Sequence, residues 1–193
     1  MDLLDLRLRD FLQEVASSER APASGSVAAV VTAAAAGLLA KVARASKTDW
    51  VEARGIAAQA ESLRDRVAPI AQLDADEYEA ALRARAESGE STGERRDYAL
   101  GRAFAAAAEP PLRIVEAATD VALLSIEVVE KGEPSLRVDA AAAGMLAAAA
   151  ARAAAELIAV NLTVSADDER VLRARRLAED AARAAEEAFA GSA

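Results

Sequence analysis

Apolar and polar positions alternate with a helical period along almost the whole chain. Leu4, Leu8, Phe11, Leu12 and Val15 recur at helical spacing, so residues 2–17 predict an amphipathic first helix, ended by Ser17-Ser18 and Pro22. After a loop at 19–25, a second helix is predicted from about Ser26 to Ala45, a third from about Thr48 to Ala71 and a fourth from about Asp74 to Ala86. The stretch Glu87 to Gly93 holds Ser88, Gly89, Ser91 and Thr92 and reads as a turn-rich loop. Glu94 to Ala108 is helical again, Pro110-Pro111 breaks or kinks the chain, and Leu112 to Val129 continues as a long apolar helix. Lys131-Gly132-Glu133-Pro134 is a stop signal. The most alanine-rich helix runs from about Ser135 or Val138 to Leu162. Ser165-Ala166-Asp167-Asp168 then offers an N-cap for a last helix to about Phe189. Alternating β-branched runs bounded by turns are nearly absent. The pattern predicts an all-α, single-domain multi-helix bundle over residues 1–193, with no internal repeat and no dividing linker.

Two of these helices, Val27 to Ala40 and Ala140 to Val160, are small and apolar nearly all round. Such helices are buried on several faces. They are expected to be central, or to be covered by a second copy of the chain in a homodimer. The plainer alternative is the core of a monomer.

Composition then narrows the chemistry. The chain has neither histidine nor cysteine, so acid–base work falls to Asp, Glu, Lys or Tyr. The net charge of −9 gives no basic footprint for nucleic acid. The start, Met1-Asp2-Leu3-Leu4-Asp5, is acidic where a secretory signal is basic. The apolar runs Val27 to Ala40 and Ala140 to Ala151 are short for a membrane span and mostly alanine. A cytoplasmic protein with no membrane and no nucleic-acid partner is expected.

One stretch is unusual for a helical protein: Pro22-Ala23-Ser24-Gly25-Ser26-Val27-Ala28-Ala29. The first N–H groups of the following helix are unpaired, and with the helix dipole they favour an anion or a carbonyl oxygen. An ordinary N-cap by Ser24 or Ser26 is the alternative. The stretch resembles the Pro-x-Pro-Gly-Gly-Gly-Ser-Val-Ala-Ala turn of the cyclodeaminase/cyclohydrolase family of folate enzymes, with Ala23 and Ser24 in place of the first two glycines. The likeness continues. Asp74, Ala75 and Tyr78 fall in register with the family's Leu-x-Asp-x-Asp-Ala-x-Ala-Tyr. Glu94-Arg95, Ala99-Leu100 and Pro111-Leu112 follow in the family's order. Gly132 and Asp139 match Gly-Asn-x-Asn-x-x-Ser-Asp, while Glu133, Ser135 and Val138 replace its two asparagines and its serine. Asn161-Leu162 closes the alanine-rich helix as in the family.

The resemblance runs from about Leu8 to Leu162, and it implies a reduced folate carrying a one-carbon unit between N5 and N10. The substrate would be a tetrahydrofolate derivative, with no bound prosthetic group and no metal. In the cyclohydrolase reaction water opens 5,10-methenyltetrahydrofolate to 10-formyltetrahydrofolate; in the cyclodeaminase reaction N10 attacks a formimino carbon and ammonia leaves. The resemblance makes Asp139, Asp74 and Lys47 the candidate catalytic residues. It makes Ser24, Gly25, Ser26, Tyr78, Ser135 and Asn161 the candidate substrate-binding residues. Each has a structural alternative: Asp139 and Asp74 as helix caps, Tyr78 as a half-buried packing residue, Lys47 as a basic residue suited to a helix C-terminus. The single-domain length tilts the reading toward a stand-alone cyclohydrolase. A non-catalytic helical binding or scaffold protein is the remaining alternative, because Cβ atoms at Ala23 and Ser24 restrict a backbone that glycines leave free.

Helix arithmetic limits how these residues combine. Ser26 to Lys47, and Asp139 to Asn161, each span roughly 30 Å along a straight helix at ~1.5 Å per residue. Ser26 and Asp139, both near helix starts, converge only if their helices run parallel or a second subunit brings opposite ends together.

Overall fold

The computed structural model describes residues 2–46, 50–88, 93–162 and 168–192. Among these there are eight α-helices and no strand: α1 (Leu8–Val15), α2 (Ser24–Ala45), α3 (Ala53–Val67), α4 (Ile70–Glu87), α5 (Glu94–Ala107), α6 (Glu109–Lys131), α7 (Arg137–Asn161) and α8 (Glu169–Gly191). The expected all-α bundle is observed.

The boundaries differ from the sequence reading where capping chemistry decides them. The first helix is shorter than expected, because residues 3–5 form a separate 3-10 turn capped by Asp2. Helix α2 starts two residues earlier than predicted, at Ser24. Helix α4 starts at Ile70 rather than Asp74, directly after Pro69. A proline there lacks only an N–H that the first turn leaves unpaired in any case. Pro110 and Pro111 follow the same rule, and lie in the first turn of α6 rather than inside a kinked helix. Asp168 is the N-cap of α8, accepting from the Arg170 N–H at 2.9 Å. The rest of that cap signal, residues 165–167, lies outside the described residues.

Helices α2, α6 and α7 form the centre, with α3 against α2 and α8 against α6 and α7. The core is built largely from alanine, with Leu39, Ile114 and Ile158 among its largest fully buried side chains. Small residues let helix axes approach toward the ~8 Å end of the usual range. At Gly144 of α7 the approach is closer still, since a Cβ there would overlap Ser125 Oγ of α6.

Two stretches, Ser24–Ala45 and Pro134–Asn161, are long and apolar enough to cross a membrane by length and hydropathy. The runs judged short in the sequence are therefore parts of longer helices, here packed among their neighbours. Neither is covered all round. Val31 of α2 and Leu146 of α7 line an almost wholly apolar groove with Val15, Val27 and Ala150, of about 500 Å³. Leu146 is 42% exposed.

The chain direction sets two distinct ends. Lys41, near the end of α2, pairs with Asp139, near the start of α7. The start of α2 meets the end of α7, so these two helices are antiparallel. At the far end, Trp50 is buried just before α3, with no hydrogen-bond partner for its indole N–H among the described residues. It lines a broad cleft of about 560 Å³ with Ser46, Glu133 and Arg137.

Candidate functional site

At the near end, five helices converge on a cavity of about 140 Å³. Helix α2 supplies Ser24 and Gly25, α4 supplies Asp74 and Tyr78, and α5 supplies Ala107. Pro111 of α6 and Leu157, Val160 and Asn161 of α7 complete the wall. Its lining is mostly apolar, and among the described residues Asp74 is its only carboxylate.

Local structure explains why Asp74 is there. Ala23 caps α2 without a side-chain hydrogen bond, leaving the first-turn N–H groups without a local partner. Asp74, in the second turn of α4, brings its carboxyl against that helix start. It touches Gly25 so closely that a Cβ at residue 25 would overlap both carboxyl oxygens. Glycine is required there by space. Ala23 and Ser24 impose no such strain: Ala23 is extended, at φ −121° and ψ −162°, and Ser24 opens the helix. Among the described residues, no residue other than Gly93 has a positive φ. The backbone restriction expected from those two Cβ atoms is therefore absent.

Asp74 is only 8% exposed. Burial pushes its carboxyl above the ordinary carboxylate range, because the charged form loses water. The Ser26 hydroxyl, when turned to the carboxylate, and the Ser26 backbone N–H work the other way. Ser26 is fully buried; its Oγ is 2.8 Å from the Ala71 carbonyl and 3.4 Å from Asp74 Oδ2. Asp74 is thus not the N-cap of α4, and Ser26 lies behind the cavity wall rather than on it.

Tyr78 sits one turn beyond Asp74 on the same helix and lines the same space, half-buried. Asn161 donates its Nδ2 to the Ala107 carbonyl at 2.9 Å. That bond assigns the amide, since only the NH₂ group can donate, and among the described residues no group donates to Oδ1. The cavity therefore holds a carboxyl biased toward its neutral form, a phenol, an amide and a helix start.

The other candidates lie elsewhere. Asp139 is the third residue of α7 and caps nothing; its Oδ2 is 2.6 Å from Lys41 Nζ, on an exposed face. Ser135 donates to Glu133 Oε1 at 3.2 Å in an exposed 3-10 turn at the far end. Lys47 lies outside the described residues. Within one chain, Ser26 and Asp139 do not converge, because Lys41, the partner of Asp139, stands fifteen residues or roughly 22 Å along α2 from Ser26. Lys41 was not among the sequence candidates. Its signal was a lone cation directly after the apolar run of α2. The Ala107 carbonyl carried no sequence signal.

Comparison with known proteins decides the family. The model of the formiminotransferase-cyclodeaminase family matches residues 7–180. The chain belongs to this family. Its fold is similar to the crystal structure of formiminotetrahydrofolate cyclodeaminase from Thermotoga maritima, with a TM-score of 0.80 and 21% identity, covering 98% of this chain and 95% of that one. No curated protein matches significantly. Family and fold point to folate one-carbon chemistry of the cyclodeaminase/cyclohydrolase type. The turn that opens α2, Ala23 to Gly25, is the segment that meets Asp74.

Proposed function

We propose that this protein is a cytoplasmic enzyme that hydrolyses 5,10-methenyltetrahydrofolate to 10-formyltetrahydrofolate at the Asp74 cavity. The carrying observation is the buried carboxyl beside Tyr78 in a largely apolar pocket. At about 140 Å³ the cavity is smaller than the ~300–1,000 Å³ of a cleft that encloses a whole ligand. It takes the reacting part of the folate and leaves the tail outside. A cationic methenyl group favours the ionised carboxylate opposite it. The carboxylate removes a proton from the attacking water as the oxygen bonds to the methenyl carbon. The carbon–N5 bond then breaks, N5 takes the proton from Asp74, and the new hydroxyl gives up its own proton to leave the formyl group. One proton is released to solvent. The Asn161 Oδ1 acceptor suits an N–H edge of the pterin.

The second reading is formiminotetrahydrofolate cyclodeaminase, the activity that names the Thermotoga maritima protein of similar fold. The same carboxyl, in its neutral form, would protonate the departing ammonia. Two assays separate the readings. Loss of methenyltetrahydrofolate near-ultraviolet absorbance above the uncatalysed rate supports the hydrolase. Ammonia release from formiminotetrahydrofolate supports the cyclodeaminase. Neither activity at saturating substrate supports a scaffold with the same fold.

We also propose that a second copy of the chain covers the apolar groove between α2 and α7. That groove shares Ala23 and Ser24 with the cavity wall.

A further inference from the structure

We propose that Asn161 sets the ligand specificity of the Asp74 cavity. Pro110 and Pro111 tie its amide N–H₂ to the Ala107 carbonyl, so that it presents an acceptor only and selects a ring edge bearing an exocyclic amine over the same edge bearing an oxygen. The inference rests on the Asp74 cavity receiving the reacting part of a folate, but its structural half stands apart from any ligand.

Helices α5 and α6 abut, with Ala108 alone between them. In a continuous helix the Ala107 carbonyl would accept from the N–H of residue 111, or from that of residue 110 in a tighter 3-10 turn. Both are prolines, and neither has an N–H. The Pro111 ring also crowds the carbonyl four residues before it. Backbone pairing resumes with the Leu112 N–H, which donates to the Ala108 carbonyl at 3.2 Å. Prolines that open an isolated helix leave no such gap, because the first turn lacks partners in any case. The abutment of the two helices creates it, which is why sequence alone does not mark this carbonyl. Ala107 is buried, at 3% exposure, and a buried carbonyl without a donor is costly. The donor comes from 54 residues away: Asn161 Nδ2 lies 2.9 Å from the Ala107 oxygen.

That bond decides what Asn161 offers. An asparagine can ordinarily turn its amide over and meet either a donor or an acceptor. Here the reversed amide would set Oδ1 against the Ala107 oxygen, two acceptors face to face. Oδ1 is not sealed in: among the described residues, the buried side-chain nitrogens and oxygens without a partner belong to Trp50 and Arg137. Asn161, Ala107 and Pro111 all line the cavity. On the same wall, Ser24 and Tyr78 carry hydroxyls that rotate to donate or accept, and Asp74 changes role with its proton. Asn161 keeps one role. An N–H₂ on the ring edge satisfies it, whereas an oxygen there opposes two acceptors and loses about tenfold or more in affinity.

The test has two parts, both on the full-length protein. The first uses no ligand: solvent exchange of the Asn161 side-chain amide protons, followed by nitrogen-15 NMR. Pro111→Ala gives the Ala107 carbonyl a backbone donor, and the amide protons then exchange about tenfold faster or more. Pro110→Ala, whose donor has the poorer 3-10 geometry, gives a smaller rise in the same direction. Exchange that is unchanged in both variants overturns the lock. The second part is the ratio of affinities for tetrahydropterin and tetrahydrolumazine, which carries an oxygen in place of the exocyclic amine. The wild-type protein prefers tetrahydropterin by about tenfold or more, and Pro111→Ala brings the ratio toward one. Equal affinities in the wild type, or a preference undiminished in Pro111→Ala, overturn the selectivity. Binding of neither compound overturns the reading of the cavity as a folate site and the selectivity with it, while the exchange measurement still decides the lock.

Discussion

The Asp74 carboxyl rests against the backbone of Gly25, with no room for a methyl group between them. This contact joins α2 to α4 and aims the Asp74 carboxyl at the cavity. Gly25→Ala forces one of the two to move, at a cost of about 1–3 kcal/mol. A Tm lowered by roughly 2–4 °C per kcal/mol is expected, together with loss of turnover. The double variant Gly25→Ala/Asp74→Ala recovers the stability but not the activity. Failure of the second change to restore the Tm would place the clash elsewhere.

Asp74 also links stability to pH. Its pKa in the folded protein is raised above the unfolded value. Its contribution is therefore fully present below the unfolded pKa and is lost as pH rises through the folded one. Asp74→Asn keeps the shape and removes the buried charge. It is expected to raise the Tm at pH 8 and to leave it unchanged below the carboxylate range. At the same time kcat falls by ~10²-fold or more, as for a lost acid–base group. Thermal melts across pH check the first half, and a steady-state assay the second.

Lys41 and Asp139 form a short but exposed pair, with side chains 56% and 39% accessible. Exposed pairs contribute about 0–1 kcal/mol. Lys41→Ala and Asp139→Asn are expected to shift stability within that range and kcat/KM by no more than about threefold. A large activity loss in Asp139→Asn, with an unchanged melt, would move the chemistry to the far end of the bundle.

Covering the α2–α7 groove with a second copy predicts a particle of about 40 kDa, twice the chain mass of 20.0 kDa. Leu146→Glu puts a charge into that groove and is expected to yield a 20 kDa particle by light scattering. A wild-type protein of single-chain mass at micromolar concentration would rule out the homodimer.

The helices were legible because small and apolar residues recur at helical spacing and Pro110-Pro111 marks the break before α6, whereas the start of α4 after Pro69 was placed four residues late. Helix ends were less so, since the trade between Asp74 and the Ala23 cap is made across elements. The separation of the candidates into two groups was also readable, as length alone keeps Asp139 and Asn161 roughly 30 Å apart. What sequence did not reveal is direction. Only packing shows that α2 and α7 run antiparallel, joining Gly25 to Asn161 and Lys41 to Asp139. Nor does spacing show which serine faces outward: Ser24 is exposed at the cavity mouth while Ser26, two residues on, is sealed behind it.

Trp50 is the chain's one tryptophan, buried at the far end of α2. Helix α2 has 22 residues, so the indole lies roughly 30 Å from Gly25. Its fluorescence is consequently a beacon for the wrong end of the molecule. A ligand in the Asp74 cavity leaves that emission dark to its arrival, and any change in colour or intensity on binding reports motion carried along the whole bundle.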